Sequence, residues 1–339
     1  MDVVLRVDGG SKIGYGHLVR TGALADELHA RGHTITVATT TPAPAQEVFP
    51  SGSTTVDLPS RGDPEPFVEW LDSTTVDVVF TDAYPVDTAY QQAIRQRVPL
   101  AVLQDDARHA VCADLFVNGN LYGPNQNYEF IGDLPETCLG TKYVLLRRQI
   151  RRRAAEEPPW REKPERALVT MGGSDIASLT PTVVRAFDGL DLRVDAIVGP
   201  GCTEAQERSV LEAATEIEAD VRVVRDPDDL ADRMLASDFA VSTASSTTYE
   251  LLALGTPLVS IAVVDNQEPI ATALREQDIA TVLPRDADET TLRSAIEVYV
   301  TDAERRQRRQ KHGKELVDGR GTERVCAEVL SIAENHPDT

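Results

Sequence analysis

Residues 3–38 read VVLRVDGGSKIGYGHLVRTGALADELHARGHTITVA. The β-branched run Val3–Val7 predicts a strand, the stretch from about His17 to Arg31 a helix, and Thr34–Ala38 a second strand. Strand, helix and strand in that order require parallel pairing across a helical crossover, the unit of a doubly wound sheet.

The alternation continues outward from this unit. In the first half, strands are expected at Val76–Thr81 and Leu100–Leu103, helices near Pro66–Leu71 and Thr88–Arg95, and an extended piece at Leu115–Val117 before the turn-rich stretch Asn118–Gln126. Between Arg147 and Pro164 the chain reads RRQIRRRAAEEPPWREKP, whose charge and three prolines predict an exposed linker. The pattern then restarts with strands at Ala167–Met171, Leu192–Val198, Val221–Val224, Phe239–Ser242, Leu258–Val263 and Ala280–Leu283. Helices follow near Glu289–Val300, Ala303–Leu316 and Glu323–Glu334. The expected organisation is an α/β chain with two Rossmann-like domains facing a cleft, residues 1–147 and 165–320, joined by the linker 148–164. A C-terminal helix within 321–339 is expected to pack back on the first domain. The arginine clusters at 147–153 and 305–309 are expected on solvated helix faces, with phosphate binding as the alternative.

Composition bounds the function. The chain has 339 residues, and 34 Lys plus Arg against 55 Asp plus Glu leave a net charge of −21. A polyanion needs clustered cations, so nonspecific nucleic-acid binding is excluded as a default. A hydrophobic fraction of 41% excludes disorder. No apolar run approaches the roughly 18 residues that span a bilayer. The opening MDVVLRVDGG lacks signal-peptide character, so a cytoplasmic location is expected. Only 5 of the 34 cations are Lys, which with the many carboxylates suggests adaptation to concentrated salt. Cys112, Cys138, Cys202 and Cys326 lack metal-site spacing and are expected in the core, and no histidine pair suggests a metal cage.

In doubly wound sheets ligands bind beyond the carboxyl ends of strands, where glycine-rich loops open into helices. The first such loop runs from Asp8 to His17 through Gly14 and Gly16, and matches neither the dinucleotide fingerprint nor a Walker loop. A neutral His17 imidazole in the first helical turn can accept a proton from water, although a helix-start histidine can also just bond a loop carbonyl. Asp8, at the strand end, is a candidate to orient that imidazole or bind a sugar hydroxyl, with loop capping as the alternative. In the second loop, after Met171, the small residues Gly172, Gly173 and Ser174 can cradle a phosphate on their N–H groups. The third, through Ser245 and Ser246, offers hydroxyls and helix-start amides to a diphosphate, with Glu250 one turn on for ribose hydroxyls; a polar N-cap is the alternative. Asn266 and Gln267 follow the next strand as carboxamides suited to a sugar.

IGYGHLVR at 13–20, MGGSD at 171–175 and STASSTTYELLALGTPLVSIAVVDNQ at 242–267 resemble the GT-B-fold sugar-nucleotide enzymes. More narrowly, with TDAYPVD at 81–87, QDD at 104–106 and DLFVNGNLYG at 114–123, they resemble the nucleotide-sugar hydrolases of pseudaminic acid biosynthesis. The likeness runs from Asp2 to about Leu274, and the C-terminal helices match less clearly. It implies a GT-B-like fold and a cofactor-free, metal-independent hydrolysis that releases UDP from a UDP-linked diacetamido-trideoxy hexose, water attacking the anomeric carbon. On that likeness His17 is the base, Asn266 holds the sugar or the water, and Tyr84 faces the same centre. Ser174, Ser245, Ser246 and Glu250 grip the UDP, with the uracil read near Asp226–Leu230. The Ser/Thr loop and part of the first loop are shared with the GlcNAc transferase of peptidoglycan synthesis. A GT-B glycosyltransferase, in which His17 deprotonates an acceptor hydroxyl, is therefore the alternative.

Overall fold

The computed structural model describes residues 1–10 and 13–335, which fall into two compact units, the first made of residues up to Arg148 with the chain from Arg320 onward, the second of Gln149–Gly319. All four cysteines are buried. Among the described residues no helix is long and apolar enough to cross a membrane.

The first unit is a seven-stranded parallel sheet in the order β3-β2-β1-β4-β5-β6-β7. Its strands are β1 (Asp2–Val7), β2 (Thr34–Thr39), β3 (Thr54–Asp57), β4 (Val78–Asp82), β5 (Leu100–Leu103), β6 (Leu115–Asn118) and β7 (Glu136–Leu139). Between them run α1 (Gly16–Ala30), α2 (Pro42–Val48), α3 (Glu65–Asp72) and α4 (Thr88–Arg95). β1 is central, with Leu5 in register with Val37 of β2 and Phe80 of β4, and its near-continuous apolar run is what a strand covered on both faces requires. Successive residues point to opposite faces. Val3, Leu5 and Val7 join one core with Leu18, Leu24 and Leu28 of α1, whereas Val4 joins another with Phe67 of α3 and Tyr90 and Ile94 of α4.

The second unit repeats the plan with six parallel strands in the order β10-β9-β8-β11-β12-β13. These are β8 (Arg166–Thr170), β9 (Arg193–Val198), β10 (Asp220–Arg225), β11 (Phe239–Thr243), β12 (Leu258–Ile261) and β13 (Thr281–Leu283). The helices are α5 (Arg148–Ala154), α6 (Thr180–Arg185), α7 (Glu204–Thr215), α8 (Leu230–Ala236), α9 (Ser246–Ala253), α10 (Glu268–Glu276), α11 (Glu289–Thr301) and α12 (Ala303–Leu316). The last helix, α13 (Gly321–Glu334), belongs to the first unit, where Val325, Cys326, Val329 and Ile332 complete the core against α1.

Residues 148–164, expected as an exposed linker from their charge and prolines, are mostly exposed or half-exposed, and from Gln149 onward they belong to the second unit. They begin with α5, whose Ile150 is buried, and continue as a strap fastened to α12. Three α12 side chains at four-residue spacing donate to strap carbonyls: Arg306 to Arg161 and Glu162 at 2.9 and 2.6 Å, Gln310 to Pro159 at 3.2 Å, and Lys314 to Glu156 at 2.5 Å. Side chains so spaced share one helix face. The 305–309 cluster is accordingly not a uniformly solvated face, because Arg306 and Arg309 are buried, the latter donating to Asp278 Oδ1 at 2.6 Å.

Candidate functional site

In each sheet the strand order reverses direction at one point, between β1 and β4 and between β8 and β11. The loops beyond the carboxyl ends of these strands form the crevice where doubly wound sheets take ligands.

At the first of these points the chain leaves β1 through Asp8, Gly9 and Gly10 and re-enters regular structure at Gly16. Gly10 and Gly14 exchange hydrogen bonds, N to O at 3.0 and 2.7 Å, closing the loop on itself. Gly14 has φ +99°, which a side chain rarely adopts, and its place follows from this turn. The loop residues Ser11 and Lys12 lie outside the described residues.

His17 then falls in the first turn of α1, with Arg20 and Thr21 three and four residues on and so on the same face. All three converge on Asp82, the last residue of β4. Its Oδ1 accepts His17 Nδ1 at 2.6 Å and Arg20 Nη2 at 2.6 Å, while its Oδ2 accepts Arg20 Nε at 2.7 Å and Thr21 Oγ1 at 2.9 Å. Burial alone would raise the Asp82 carboxyl, but the charge of Arg20 and the hydrogen bonds from Arg20 and His17 hold it well below the usual carboxylate range. An ionised carboxylate only accepts, so the proton in the His17 contact sits on Nδ1. Nε2 keeps its lone pair and makes no hydrogen bond within the protein among the described residues. A carboxylate-oriented imidazole with a free Nε2 is the arrangement of a general base.

Arg20 is shared with a second carboxylate. Its Nη1 and Nη2 donate to Asp105 Oδ1 and Oδ2 at 2.8 and 3.0 Å. Asp105 also accepts from Asn120 Nδ2 at 2.9 Å and from the Tyr84 hydroxyl at 3.3 Å. Burial opposes its charge and Arg20 restores it, leaving the carboxyl below its ordinary value. Tyr84 meets the His17 ring edge-on with centroids 4.7 Å apart, and the Arg108 guanidinium covers the Tyr84 ring at 3.8 Å. His17 and Tyr84, both expected from sequence, are thus brought together.

Asp8 is not. Its buried carboxylate takes Arg6 Nη1 at 2.9 Å and Thr40 N and Oγ1 at 2.8 and 2.9 Å, tying β1 to the loop after β2. Asp82 orients the imidazole in its place. Sequence reasoning gave no role to Asp82, Arg20, Asp105 or Asn120, although each lies in a stretch quoted for the resemblance; Arg20 also carried a geometric signal, its three-residue spacing from His17 on a helix.

At the second point, Gly172 leaves β8 with φ +80°. Gly199 and Gly201 pack against the loop so closely that a Cβ at Gly199 would lie 2.5 Å from the Gly172 and Gly173 carbonyl oxygens. Gly201 N donates to the Gly173 oxygen at 2.8 Å, and Gln206 Nε2 donates to the Ser174 and Asp175 carbonyls at 3.3 and 3.0 Å. Asp175 turns inward and accepts from Leu179 N and Thr180 N at 2.9 and 3.1 Å, capping α6. The loop carbonyls are therefore braced. The Gly172, Gly173 and Ser174 N–H groups have no well-aligned hydrogen-bond partner among the described residues.

After β11, Ser245 occupies the cap position of α9 without a side-chain cap bond, its hydroxyl lying 3.1 Å from Thr243 Oγ1. Ser246 is exposed at the first helical position, and its N–H and that of Thr247 are likewise unpartnered. Glu250 is buried one turn on. Gln267 spends its carbonyl on Val263 N at 2.9 Å and keeps its amide nitrogen, whereas Asn266 is exposed in the turn Asp265–Gln267. Asp226 follows β10 in the left-handed region at φ +40°.

Two doubly wound parallel sheets, each with its polar loops at the point of strand-order reversal, define a GT-B-like α/β protein. Solved structures bear out that fold: MurG of Acinetobacter baumannii matches with a TM-score of 0.70 at 15% identity, covering 98% of this chain and 100% of that one. The calicheamicin glycosyltransferase CalG4 matches with a TM-score of 0.71 at 17% identity over the whole of both chains. No protein-family model matches the chain. In sequence it is similar to the UDP-2,4-diacetamido-2,4,6-trideoxy-beta-L-altropyranose hydrolase of Campylobacter jejuni, 25% identical over 290 residues, 82% of this chain and 97% of that one. It is also similar to the spore coat polysaccharide biosynthesis protein SpsG of Bacillus subtilis, 22% identical over 341 residues, 98% of this chain and 99% of that one.

Proposed function

We propose that the protein is a nucleotide-sugar hydrolase that releases UDP from a UDP-linked diacetamido-trideoxy hexose. The observation that carries the reading is the His17–Asp82 pair with its free Nε2. The similarity to the C. jejuni hydrolase along 82% of the chain supports the choice of substrate class.

In this reading the unpartnered N–H groups of Gly172, Gly173, Ser174 and Ser246 hold the diphosphate, with the Ser245 hydroxyl beside them. Fixed dipoles aimed at a leaving group stabilise the charge that develops on it. Glu250 takes the ribose hydroxyls, backbone near Asp226 reads the base, and the Asn266 and Gln267 amides position the sugar. His17 Nε2 takes a proton from water as the water oxygen bonds to the anomeric carbon. The bond from that carbon to the β-phosphate oxygen breaks, and its electron pair leaves with UDP. The balance closes with free sugar, UDP and one proton on His17, and needs no cofactor.

Hydrolysis in oxygen-18 water tests the step. Label is expected in the sugar and none in UDP, with the rate unchanged by a chelator; label in the UDP phosphate would place the attack on phosphorus and overturn it. A glycosyltransferase built on the same base is the second reading, favoured by the fold it shares with MurG and CalG4. UDP release that depends on an added acceptor would select it.

A further inference from the structure

The charges around His17 do not balance as a simple carboxylate and imidazole pair. The groups that face the imidazole are Asp82 from the end of β4, Arg20 from α1 and Tyr84 from the loop after β4; Asp105, after β5, reaches it through Arg20, and Arg108 stacks on Tyr84. Arg20 Nη2 lies 3.0 Å from His17 Nδ1. A guanidinium that close cancels the charge of Asp82, and an imidazole facing a neutral pair gains little on protonation. The second carboxylate changes the sum. Asp82 and Asp105 against Arg20 leave one net negative charge, which an imidazolium neutralises.

We propose that Asp105, which makes no hydrogen bond to His17, is a positioning residue that sets the proton affinity of the imidazole by offsetting Arg20. Arg20 supplies geometry. Its planar fork engages both carboxylates, Nε and Nη2 on Asp82 and Nη1 and Nη2 on Asp105, and so fixes the Asp82 oxygen that His17 uses. By itself that fork would weaken the base. The proposal rests on His17 acting as the base in the reading above.

The test is the titration of the His17 ring followed by proton NMR on the intact protein without substrate, beside the pH profile of UDP release. In Asp105→Asn the midpoint is expected to fall by about one pH unit, as removal of a nearby opposite charge does. The acid limb of the rate profile should move with it. Arg20→Lys retains the charge sum and loses the fork, so its midpoint should stay at the wild-type position while kcat falls at least about tenfold. An Asp105→Asn protein that titrates with the wild type overturns the proposal, as does an Arg20→Lys midpoint that moves as far as the one expected for Asp105→Asn. The second variant decides the matter if the first does not fold. Because the titration needs no substrate, a shifted midpoint in a protein that releases no UDP from any donor would sink the hydrolase reading and leave the role of Asp105 standing.

Discussion

His17 is oriented by a carboxylate 65 residues away in the chain, and the nearer Asp8 is occupied elsewhere. That contrast explains what the sequence could disclose at this scale. A histidine opening a helix after a glycine-rich turn is a local pattern and can be read directly. Its partner is chosen by strand order, since Asp82 reaches His17 only because β4 lies beside β1. Replacing His17 by Ala should abolish UDP release and leave UDP affinity nearly unchanged by calorimetry. In Asp82→Asn the carboxylate that receives the Nδ1 proton is lost. The rate should fall by about a hundredfold or more at constant UDP affinity, the usual scale of a general-base contribution. Full activity in either variant would remove the pair from the reaction.

Among elements, the long buried ones were legible and the edge strands of the first sheet were not. The helix at Thr88–Arg95 agrees with its expected bounds because Asp87 caps it, accepting from Tyr90 N at 2.9 Å. β3 and β7 escaped notice because TTVD and ETCL are short and half polar, as strands at a sheet edge tend to be. The strap escaped for another reason: prolines mark an irregular path, and α12 meets its carbonyls with side chains that read as surface charge. The loop after β8 yields a prediction that belongs to the element. In Gly199→Ala the new methyl must displace the Gly172 and Gly173 carbonyls, turning the N–H groups of that loop away from a common point. UDP affinity should drop about tenfold or more, while the His17 titration is unaffected. Wild-type affinity would mean that this loop does not hold the phosphates.

For the whole molecule the decisive fact is that the first unit is discontinuous, its last core layer being supplied by α13 after the second unit has intervened. Thr322 Oγ1 pins the start of that helix to Leu146, accepting from its N–H at 2.9 Å and donating to its carbonyl at 3.1 Å. Burial of Val325, Val329 and Ile332 stabilises the unit by about 1 to 3 kcal/mol each. Together they weigh heavily against a typical domain stability of about 5 to 15 kcal/mol. The alternation of strands and helices is legible along the chain, and the terminal helix expected on the first domain packs there as α13.

This arrangement reverses the usual order of events on the ribosome, where the N-terminal domain of a nascent chain folds first. Here everything the second unit requires has been synthesised by Gly319, while the first unit still waits for residues at the far end. Its unfinished face, on α1, β4 and β6 where α13 packs, must persist through synthesis of the whole second unit. A chain stopped after Gly319 should therefore yield, on limited proteolysis, a resistant core of residues from about 149 onward and no resistant fragment from the N-terminal half. Recovery of an intact 1–148 fragment from that chain would show that the first unit closes without its last helix. The protein thus exposes the unit that carries His17 and Asp82 longest to misfolding and to chaperone capture, a hazard set by the order of its segments more than by the strength of any contact.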